Sequence, residues 1–407
     1  MSDAARIGVL GRGTVGGAFA EQLAERAFQV EAISGRRPEI SGVLSRSDGD
    51  FAAILDGSEI IVELIGGTDP ARDYVVAALE AGRHVVTANK QLIAQHGDEL
   101  FATARERGVQ LRFEAAVAGV VPVIRVIQES LAATRITRVS GIVNGTTNFI
   151  LSEMASTGAA YADALARAQE LGFAEADPTE DVGGADAAAK MAILARLAFD
   201  TPVSLADVTY EGITEISADD IAYAKELGLS LKLLGVAERR GDGISVRVFP
   251  CFLYGGHPLA PVEGPFNAVT VEAPAITEIT MSGPGAGGPE TATAVLGDVV
   301  SILAGEAPVD QPRERLEIVT DVSSSFYLHL EVADRPGVLA QIADVLGRNG
   351  ISVQSVVQRG LGDEARLVMV LHECPESSFY AALDEIAKLD FLRAAPRAIR
   401  VIEEEFV

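Results

Sequence analysis

The sequence predicts an α/β protein in three parts: an N-terminal parallel sheet, a central α+β domain and a C-terminal βαββαβ domain. Up to about residue 130, short apolar runs alternate with helical segments, which is typical of a parallel sheet. In the middle, the segments ISVRVFPCFL and FNAVTVEA alternate apolar and polar residues, which indicates antiparallel strands. The last part has the order strand, helix, strand, strand, helix, strand.

The domain boundaries follow from changes in composition along the 407 residues, a length that favours two or three domains of about 150 residues each. We expect a first domain over 1–130, completed by a helix at 291–305. A central α+β domain is expected over 131–290. The polar segment 306–325 contains two prolines and predicts a linker to a C-terminal domain over 326–407.

Five strands are predicted in the first domain, each at an apolar run. The first ends in a glycine-rich loop that opens a helix, and DYVVAALEAG and DELFATARERG predict two further helices. The predicted strands are Arg6–Leu10, Phe28–Ile33, Glu59–Ile65, His84–Ala88 and a run that begins near Val109.

The C-terminal part predicts the split βαβ, ferredoxin-like topology. Its predicted strands are FYLHLEVAD, ISVQSVVQR, ARLVMVLHE and AIRVIE, and its predicted helices are PGVLAQIADVLGRNG and SSFYAALDEIAKL. Before the linker, TATAVLGDVVSILAG predicts a helix that packs back on the first domain.

The charge of the chain argues against several classes of partner. Lys and Arg number 33 and Asp and Glu number 58, so the net charge is −25. A protein this acidic repels phosphate backbones and anionic membrane surfaces. We therefore expect no nucleic-acid partner and no membrane association, and no apolar run of about 18 residues predicts a membrane span.

The two cysteines, Cys251 and Cys374, form no CxxC pair. Neither a disulfide framework nor a structural zinc site is therefore predicted. Because the N-terminus reaches Gly11 and Arg12 before any long apolar stretch, no export signal is expected. Together these features favour the cytoplasm.

The segment Gly11-Arg12-Gly13-Thr14-Val15-Gly16 matches GxGxxG between a predicted strand and a predicted helix. Glycines there permit a tight turn and bring backbone N–H groups and the helix N-terminus close to a pyrophosphate. This context favours a dinucleotide site in a Rossmann-type sheet over a simple turn.

The end of the second predicted strand is expected to select the cofactor. An Asp or Glu there would hold a ribose 2′-hydroxyl, whereas this strand ends at Ser34 and is followed by Arg36 and Arg37. Two arginines suit a 2′-phosphate, so NADP(H) is the preferred cofactor and NAD(H) the second choice. The alternative is a solvated basic turn.

The predicted helix from Gly184 to Ala198 is apolar on nearly every side except for Asp186 and Lys190 in its first two turns. A helix that is apolar all round is a buried one, so these charges are not easily solvated. They lie four residues apart on one face. We interpret them as a lysine held by an aspartate and positioned to give a proton to an oxyanion; a surface ion pair is the alternative.

Four carboxylates precede this helix, and most of them are expected to be solvated or capping groups. One is well placed to bind a substrate ammonium. They are Glu175, Asp177, Glu180 and Asp181.

These segments together resemble the homoserine dehydrogenase family over essentially the whole chain. The resemblance implies the NAD(P)H-dependent reduction of L-aspartate 4-semialdehyde to L-homoserine, in threonine, methionine and isoleucine biosynthesis, by a homodimer or homotetramer. The stretches that carry it are VVTANKQLI, EAAVAGVVPVIR, GIVNGTTNFIL, GFAEADPTEDVGGADAAAKMAILA, HPLAPVEGPFNAV and SGPGAGGPETATAV.

The resemblance also implies that the central domain, 131–290, binds substrate, carries catalysis and forms subunit contacts. It further implies roles for individual residues. Lys190 is the implied general acid and base at the reacting oxygen, and Asp186 supports it and contacts substrate. Glu175 is implied to bind the substrate amino group, and Lys90 to lie near the nicotinamide and the reacting carbonyl. The other implied cofactor contacts are Arg12, Thr14, Val15, Gly172 and Gly287.

A monovalent cation, usually sodium, is implied at backbone oxygens of the segment after the fifth strand, namely those of Glu114, Val117, Gly119 and Val121. The chain departs from the family pattern in three places. Val120 stands where a second glycine is common, Pro289-Glu290 replaces Leu-Pro, and Ser34 replaces an acidic residue.

From about Phe326 the chain resembles an ACT domain. Such domains often bind an amino acid across a pair of modules, at the turn DRPGVL with Asp334 and Gly337 and at the helix end with Asn349. The implied effector is threonine. A purely structural dimerisation unit is the alternative, because a fold alone does not establish a ligand site.

Other functions stay open as alternatives. Another ACT-containing Rossmann dehydrogenase, of the 2-hydroxy-acid or prephenate type, would need a catalytic histidine after the first domain. Thiohemiacetal chemistry would need Cys251 with His257, but Cys251 lies in an ordinary strand pattern. A non-catalytic amino-acid sensor would explain the C-terminal domain but not Asp186 and Lys190.

Overall fold

The computed structural model describes residues 4–306, 315–360 and 362–402. Its first sheet is parallel throughout. The strands are β1 (Ala5–Leu10), β2 (Pro38–Leu44), β3 (Ile60–Glu63), β4 (His84–Thr87) and β5 (Leu111–Arg112), in the order β2-β1-β3-β4-β5. The connecting helices are α1 (Thr14–Ser34), α2 (Phe51–Gly57), α3 (Ala71–Glu80) and α4 (Lys90–Arg107). The predicted parallel α/β sheet is confirmed.

The predicted strand over Phe28–Ile33 is wrong, because α1 continues through this segment. Gly35 ends the helix in the left-handed conformation, at φ 75°. Since β2 begins only at Pro38, Arg36 and Arg37 precede this strand instead of following it.

Arg36 and Arg37 therefore lie at the amino edge of the parallel sheet, whereas the glycine loop lies at its carboxyl edge. Arg36 donates to Ala4 O at 3.3 Å and pairs with Glu59 at 2.8 Å. A strand of seven residues spans roughly 20 Å. The expectation that these arginines bind a 2′-phosphate is corrected, and Ser34 does not occupy the position that selects the ribose.

The central part of the chain adds a mixed sheet and a layer of helices. Its strands are β6 (Arg138–Ile142), β7 (Thr209–Tyr210), β8 (Leu229–Arg240), β9 (Gly243–Tyr254), β10 (Phe266–Ala273) and β11 (Thr277–Pro284). Its helices are α5 (Val123–Arg125), α6 (Gly145–Thr157), α7 (Tyr161–Glu170), α8 (Thr179–Val182), α9 (Ala185–Phe199), α10 (Ala218–Glu226) and α11 (Gly288–Leu303). Short 3₁₀ turns lie at Glu114–Ala116 and Leu205–Asp207, and a π-helical turn at Val126–Ser130.

Helix α11 returns to the first domain. Its buried Val295 and Val299 share an apolar cluster with Ile7 of β1 and Phe19 of α1. The loop that precedes α11 is thereby placed next to the glycine loop.

The C-terminal domain has the predicted βαββαβ order. Its elements are β12 (Ser323–Ala333), α12 (Val338–Arg348), β13 (Val353–Gly360), β14 (Glu364–Pro375), α13 (Glu376–Ile386) and β15 (Arg397–Ile402). The four strands are ordered β15-β12-β14-β13, as in a ferredoxin-like fold.

This domain continues the central sheet. β15 pairs in parallel with β9, with Arg400 opposite Cys251, so one ten-stranded sheet runs from β11 to β13. On β12, Phe326 and Leu328 face the helices of their own domain, whereas Tyr327 joins the core of the central domain. The two domains therefore share both a sheet and a core.

Residues 307–314 of the predicted linker lie outside the described residues. The part that follows them packs on the central domain, because Leu316 N donates to Thr201 Oγ1 at 2.9 Å and Ile318 pairs with Ile244 of β9. Within the described ranges, no helix combines the length and the apolar character that crossing a bilayer requires.

Candidate active site

The glycine loop lies between β1 and α1. Gly11 has φ 108°, and a Cβ there would lie 2.5 Å from Leu64 O. A Cβ on Gly16 would clash with Gly11 O, whereas the space around Gly13 is open. The N-terminus of α1 has no side-chain cap. Open space beside uncapped backbone N–H groups fits a pyrophosphate.

The carboxyl end of β2 lies beside this loop, because Gly11 N donates to Leu44 O at 2.8 Å. Ser45, Arg46 and Ser47 follow directly, and Arg46 is exposed. Sequence reasoning missed Arg46 because it placed the second strand inside α1. The signal that would have found it was the pair Gly35 and Pro38, which end a helix and begin a strand.

A cleft of about 740 Å³ opens between the first and central domains. This volume suits a small-molecule site. Its wall brings together many of the predicted residues, although they come from distant parts of the chain. These are Val15, Lys90, Gly119, Gly172, Glu175, Asp186, Lys190 and Gly287.

Asp186 is the centre of this wall. It lies in the first turn of α9 and is only 4% exposed. Its Oδ2 accepts from Lys190 Nζ at 2.8 Å, and its Oδ1 pairs with Lys90 Nζ at 2.9 Å. Lys190 Nζ also donates to Val143 O at 2.7 Å. Two ammonium groups are thus held by one buried carboxylate.

Burial and neighbouring charges act in opposite directions on the pKa values of Asp186 and Lys90. Burial raises the pKa of Asp186, but the ammonium groups of Lys190 and Lys90 outweigh burial and hold this pKa well below its usual range. Burial lowers the pKa of Lys90, but Asp186 outweighs it, so the pKa of Lys90 is raised. Asp186 and Lys90 therefore form an ionised pair in the cleft at neutral pH.

The four carboxylates before α9 differ in their surroundings. Glu175 and Asp181 line the cleft. Asp177 accepts from Thr179 N at 3.2 Å, at the start of α8, and Glu180 accepts from Gln91 Nε2 at 3.3 Å. Sequence reasoning did not single out Asp181, and nothing in its local pattern distinguishes it from its neighbours.

The segment from Glu114 to Val121 packs against the loop before α11. Ala118 and Gly119 both have positive φ, at 58° and 63°. A Cβ on Gly119 would lie 2.6 Å from Pro284 O and from Gly285 O, so only glycine fits there. Val120 is not among the positive-φ residues, and its N–H donates to Pro284 O at 3.4 Å. Valine at this position therefore needs no unusual backbone conformation.

Backbone oxygens are the groups this segment offers to a cation. In the part of the chain that the structure describes, no cluster of three or more His, Cys, Asp or Glu could hold a metal ion. Glu114 O already accepts from Val117 N at 3.3 Å, and Val121 O from Val123 N at 2.8 Å. A carbonyl oxygen has two lone pairs, so each could accept a cation as well.

The loop before α11 carries the second departure from the family pattern. Gly287 has φ 134°, and the carboxylate of Glu290 lies directly against it. Pro289 O accepts from Gln22 Nε2 at 2.9 Å, which ties this loop to α1. Glu290 therefore places a negative charge beside the predicted cofactor contact Gly287.

The residues needed by the alternative chemistries lie elsewhere. No histidine lines the cleft among the described residues, and neither does Cys251. Cys251 is fully buried in β9, and burial raises its pKa to about 12. A thiol with this pKa is a poor nucleophile at neutral pH.

The predicted effector residues of the C-terminal domain do not converge within one chain. Asp334 and Gly337 lie at the N-terminal end of α12 and Asn349 at its C-terminal end, roughly 17 Å apart for a helix of this length. The amide of Asn349 donates to Val345 O at 2.9 Å and to Glu385 at 3.3 Å. A single effector site that includes all three residues would need a second copy of the chain.

Comparison with known proteins gives one consistent result. Family models described as "Homoserine dehydrogenase", "Homoserine dehydrogenase, NAD binding domain" and "ACT domain" match residues 122–300, 11–114 and 327–391. The homoserine dehydrogenase of Neisseria gonorrhoeae is 39% identical, over 97% of this chain and 98% of the relative. That of Corynebacterium glutamicum is 42% identical, over 97% and 95%.

Solved structures agree with these relatives. A homoserine dehydrogenase from Thiobacillus denitrificans matches with a TM-score of 0.94 at 37% identity, over 99% of each chain. A hyperthermophilic archaeal homoserine dehydrogenase in complex with NADPH matches with a TM-score of 0.64 at 29% identity, over 76% of this chain and 100% of that chain.

Proposed function

Because this chain belongs to the homoserine dehydrogenase family, we propose that it reduces L-aspartate 4-semialdehyde to L-homoserine with NAD(P)H, on the route to threonine, methionine and isoleucine. The observation that carries the proposal is Asp186, buried between Lys190 and Lys90 in a cleft that reaches the glycine loop. The bound nicotinamide supplies the hydride. This chain supplies the proton, the orientation and the charge.

Lys190 is the proposed proton donor. Its ammonium is held between Val143 O and Asp186 Oδ2, so its third N–H is available to the oxygen that gains charge as the aldehyde is reduced. A fixed positive charge also stabilises the developing alkoxide in a site sheltered from water. Lys90 adds a second positive charge near the carbonyl, and Glu175 with Asp181 binds the substrate ammonium.

The direct test is the oxidation of NADPH in the presence of aspartate semialdehyde, with and without threonine. We expect oxidation to depend on the aldehyde, and threonine to lower its rate. If NADPH is not oxidised, the proposed reaction is wrong, and a non-catalytic amino-acid sensor takes its place. If threonine does not change the rate of NADPH oxidation, only the proposed regulation is wrong.

We further propose that Arg46 gives the enzyme its preference for NADP(H). A 2′-phosphate at the carboxyl end of β2 would lie beside Arg46, with Ser45 and Ser47 as hydroxyl neighbours. Replacing Arg46 by alanine should raise KM for NADPH about tenfold to a hundredfold, because one charged hydrogen bond is lost. KM for NADH should stay unchanged.

Arg36→Ala is the matched control for this measurement. Arg36 lies at the opposite edge of the sheet, in an ion pair with Glu59. Its removal should leave both KM values unchanged. A change in the NADPH-to-NADH ratio caused by Arg36→Ala, and not by Arg46→Ala, would contradict the proposal.

A monovalent cation, sodium above all, is proposed at the carbonyls of Glu114, Val117, Gly119 and Val121. The support is the left-handed turn at Ala118 and Gly119, which is packed against Pro284 and Gly285 beside the cleft. A cation there would fix this segment and the loop before α11 relative to each other.

We also propose a cytoplasmic homodimer or homotetramer with threonine as effector. Strand β13 is an exposed edge, on which Val356 is 45% and Val357 41% exposed. An exposed apolar edge strand favours pairing with another chain. Threonine would act through the C-terminal domain, which shares its sheet with β9.

A further inference from the structure

The turn between β6 and α6 contacts both members of the Asp186–Lys190 pair. Val143 O accepts from Lys190 Nζ at 2.7 Å, and Asn144 Nδ2 donates to Asp186 Oδ2 at 2.8 Å. The same Asn144 nitrogen donates to Asp181 Oδ1 at 2.7 Å. One amide group therefore joins two carboxylates of the cleft.

The partners of Asn144 fix the orientation of its amide. Its Oδ1 accepts from Thr147 N at 2.8 Å, at the N-cap of α6. A backbone N–H only donates and an ionised carboxylate only accepts, so Nδ2 has to face Asp181 and Asp186. Asn144 is only 4% exposed, so water does not easily replace these hydrogen bonds.

We infer that Asn144 is a positioning residue for catalysis: it holds Asp186 in the orientation that keeps Lys190 at the reacting oxygen, and it holds Asp181 towards the substrate ammonium. This inference rests on the proposed function. Without the two N–H groups, the buried carboxylate of Asp186 and the partly exposed one of Asp181 would repel each other and would move apart. Lys190 would lose its fixed partner as a result.

The charged groups around this amide come from three helices. Asp186 and Lys190 lie on α9, Lys90 on α4, and Asp181 on α8. The negative charges of Asp181 and of the neighbouring Glu180 both raise the pKa of Lys90. Asn144 is the neutral hydrogen-bond donor among these charges.

Asn144→Asp tests the inference without removing the cap of α6, because aspartate is an equally good N-cap acceptor. The substitution replaces two donors by a third carboxylate beside Asp181 and Asp186. We expect kcat to fall about a hundredfold, because two hydrogen bonds to charged groups are lost and a third negative charge is added beside Asp186. The acid limb of the pH profile of kcat/KM should move to higher pH, since added negative charge raises neighbouring carboxyl pKa values.

Asn144→Ser is the second variant, because serine also caps helices and adds no charge. Its kcat should fall about tenfold, with a smaller movement of the acid limb. Asp50→Asn is the matched control. Asp50 caps α2 by accepting from Ala52 N at 3.0 Å and is not among the residues that line the cleft, so exchanging the same two residue types there should change neither kcat nor the pH profile.

Carbon-13 NMR of aspartate-labelled protein gives a readout independent of turnover. In Asn144→Asp, the carboxyl pKa values of Asp181 and Asp186 should rise relative to those of the unsubstituted chain. Unchanged carboxyl titrations would overturn the inference, and so would a loss of activity accompanied only by a lower unfolding temperature. Failure of the unsubstituted chain to oxidise NADPH would contradict the proposed function instead, and the NMR titration would still decide whether Asn144 controls these carboxylates.

Discussion

Lys190→Ala should lower kcat about a thousandfold or more, because proton donation and stabilisation of the alkoxide charge are lost together. The Lys190 side chain is 13% exposed and held at two points, whereas Lys90 is bound to the other oxygen of Asp186. Binding of NADPH, followed by fluorescence titration, should stay near that of the unsubstituted chain. This combination separates a defect in chemistry from a defect in cofactor binding.

Lys190→Arg separates charge from proton transfer. A guanidinium keeps the positive charge but does not release a proton at accessible pH, so this variant should also be nearly inactive. Lys225→Ala, in the exposed last turn of α10, is the control and should be fully active. Substantial turnover by Lys190→Ala would remove Lys190 from the mechanism.

Glu376→Gln should destabilise the protein by about 2–3 kcal/mol, because it removes the carboxylate that two buried guanidinium groups share. Each arginine then keeps one other partner, Glu238 for Arg247 and Glu211 for Arg400. Glu376 begins α13 and is buried at the contact between the two domains. Its Oε1 accepts from Arg247 of β9 at 2.7 Å, and its Oε2 from Arg400 of β15 at 2.7 Å. Urea unfolding measures the loss.

The contribution of Glu376 to the free energy of unfolding should depend on pH. Burial raises the pKa of Glu376, but Arg400, Ser324 and Arg247 outweigh burial, so its pKa lies below the usual 4.5. A carboxyl whose folded pKa is lowered stabilises the protein above its unfolded pKa, and this stabilisation is lost as the pH falls below that value. Glu376→Gln should therefore flatten the acid side of the stability profile.

Asp390→Asn serves as the control for Glu376→Gln. Asp390 pairs with Arg335 at 2.6 Å, but its side chain is 76% exposed. An exposed pair contributes little, so the change in unfolding free energy should stay within about 0.5 kcal/mol. Equal effects of the two substitutions would contradict the importance of the buried network.

The first sheet shows where sequence patterns succeed and fail. Strands β3 and β4 were predictable because short runs made mostly of apolar residues end at glycine or at a polar pair. The segment FQVEAI was misleading because Phe28 and Ile33, 74% and 65% exposed, lie on the solvent side of α1 and imitate a strand. The spacing of the buried residues, Phe19, Leu23, Ala27 and Val30, is helical throughout and was the better guide.

Some residues of the candidate site could be predicted from the sequence and others could not. Asp186 and Lys190 were predictable because they are the two charges near the start of an apolar helix, at a spacing that places them on one face. Lys90 joins them from a distant helix, so only the family resemblance pointed to it. Asn144 could not be predicted, because its two carboxylate partners are brought to it by the packing of α6 against α8 and α9.

The edge of β9 that does not pair with β8 affects how the chain folds during synthesis. Away from β8, this edge is covered by three separate segments: Ile318, the short β7, and β15. Of these, β15 is made only after most of the C-terminal domain has left the ribosome, a delay on the order of ten seconds at usual elongation rates. During that interval β9 offers unpaired backbone groups to any other extended chain, so the nascent protein is most open to mispairing and to chaperone capture at this strand.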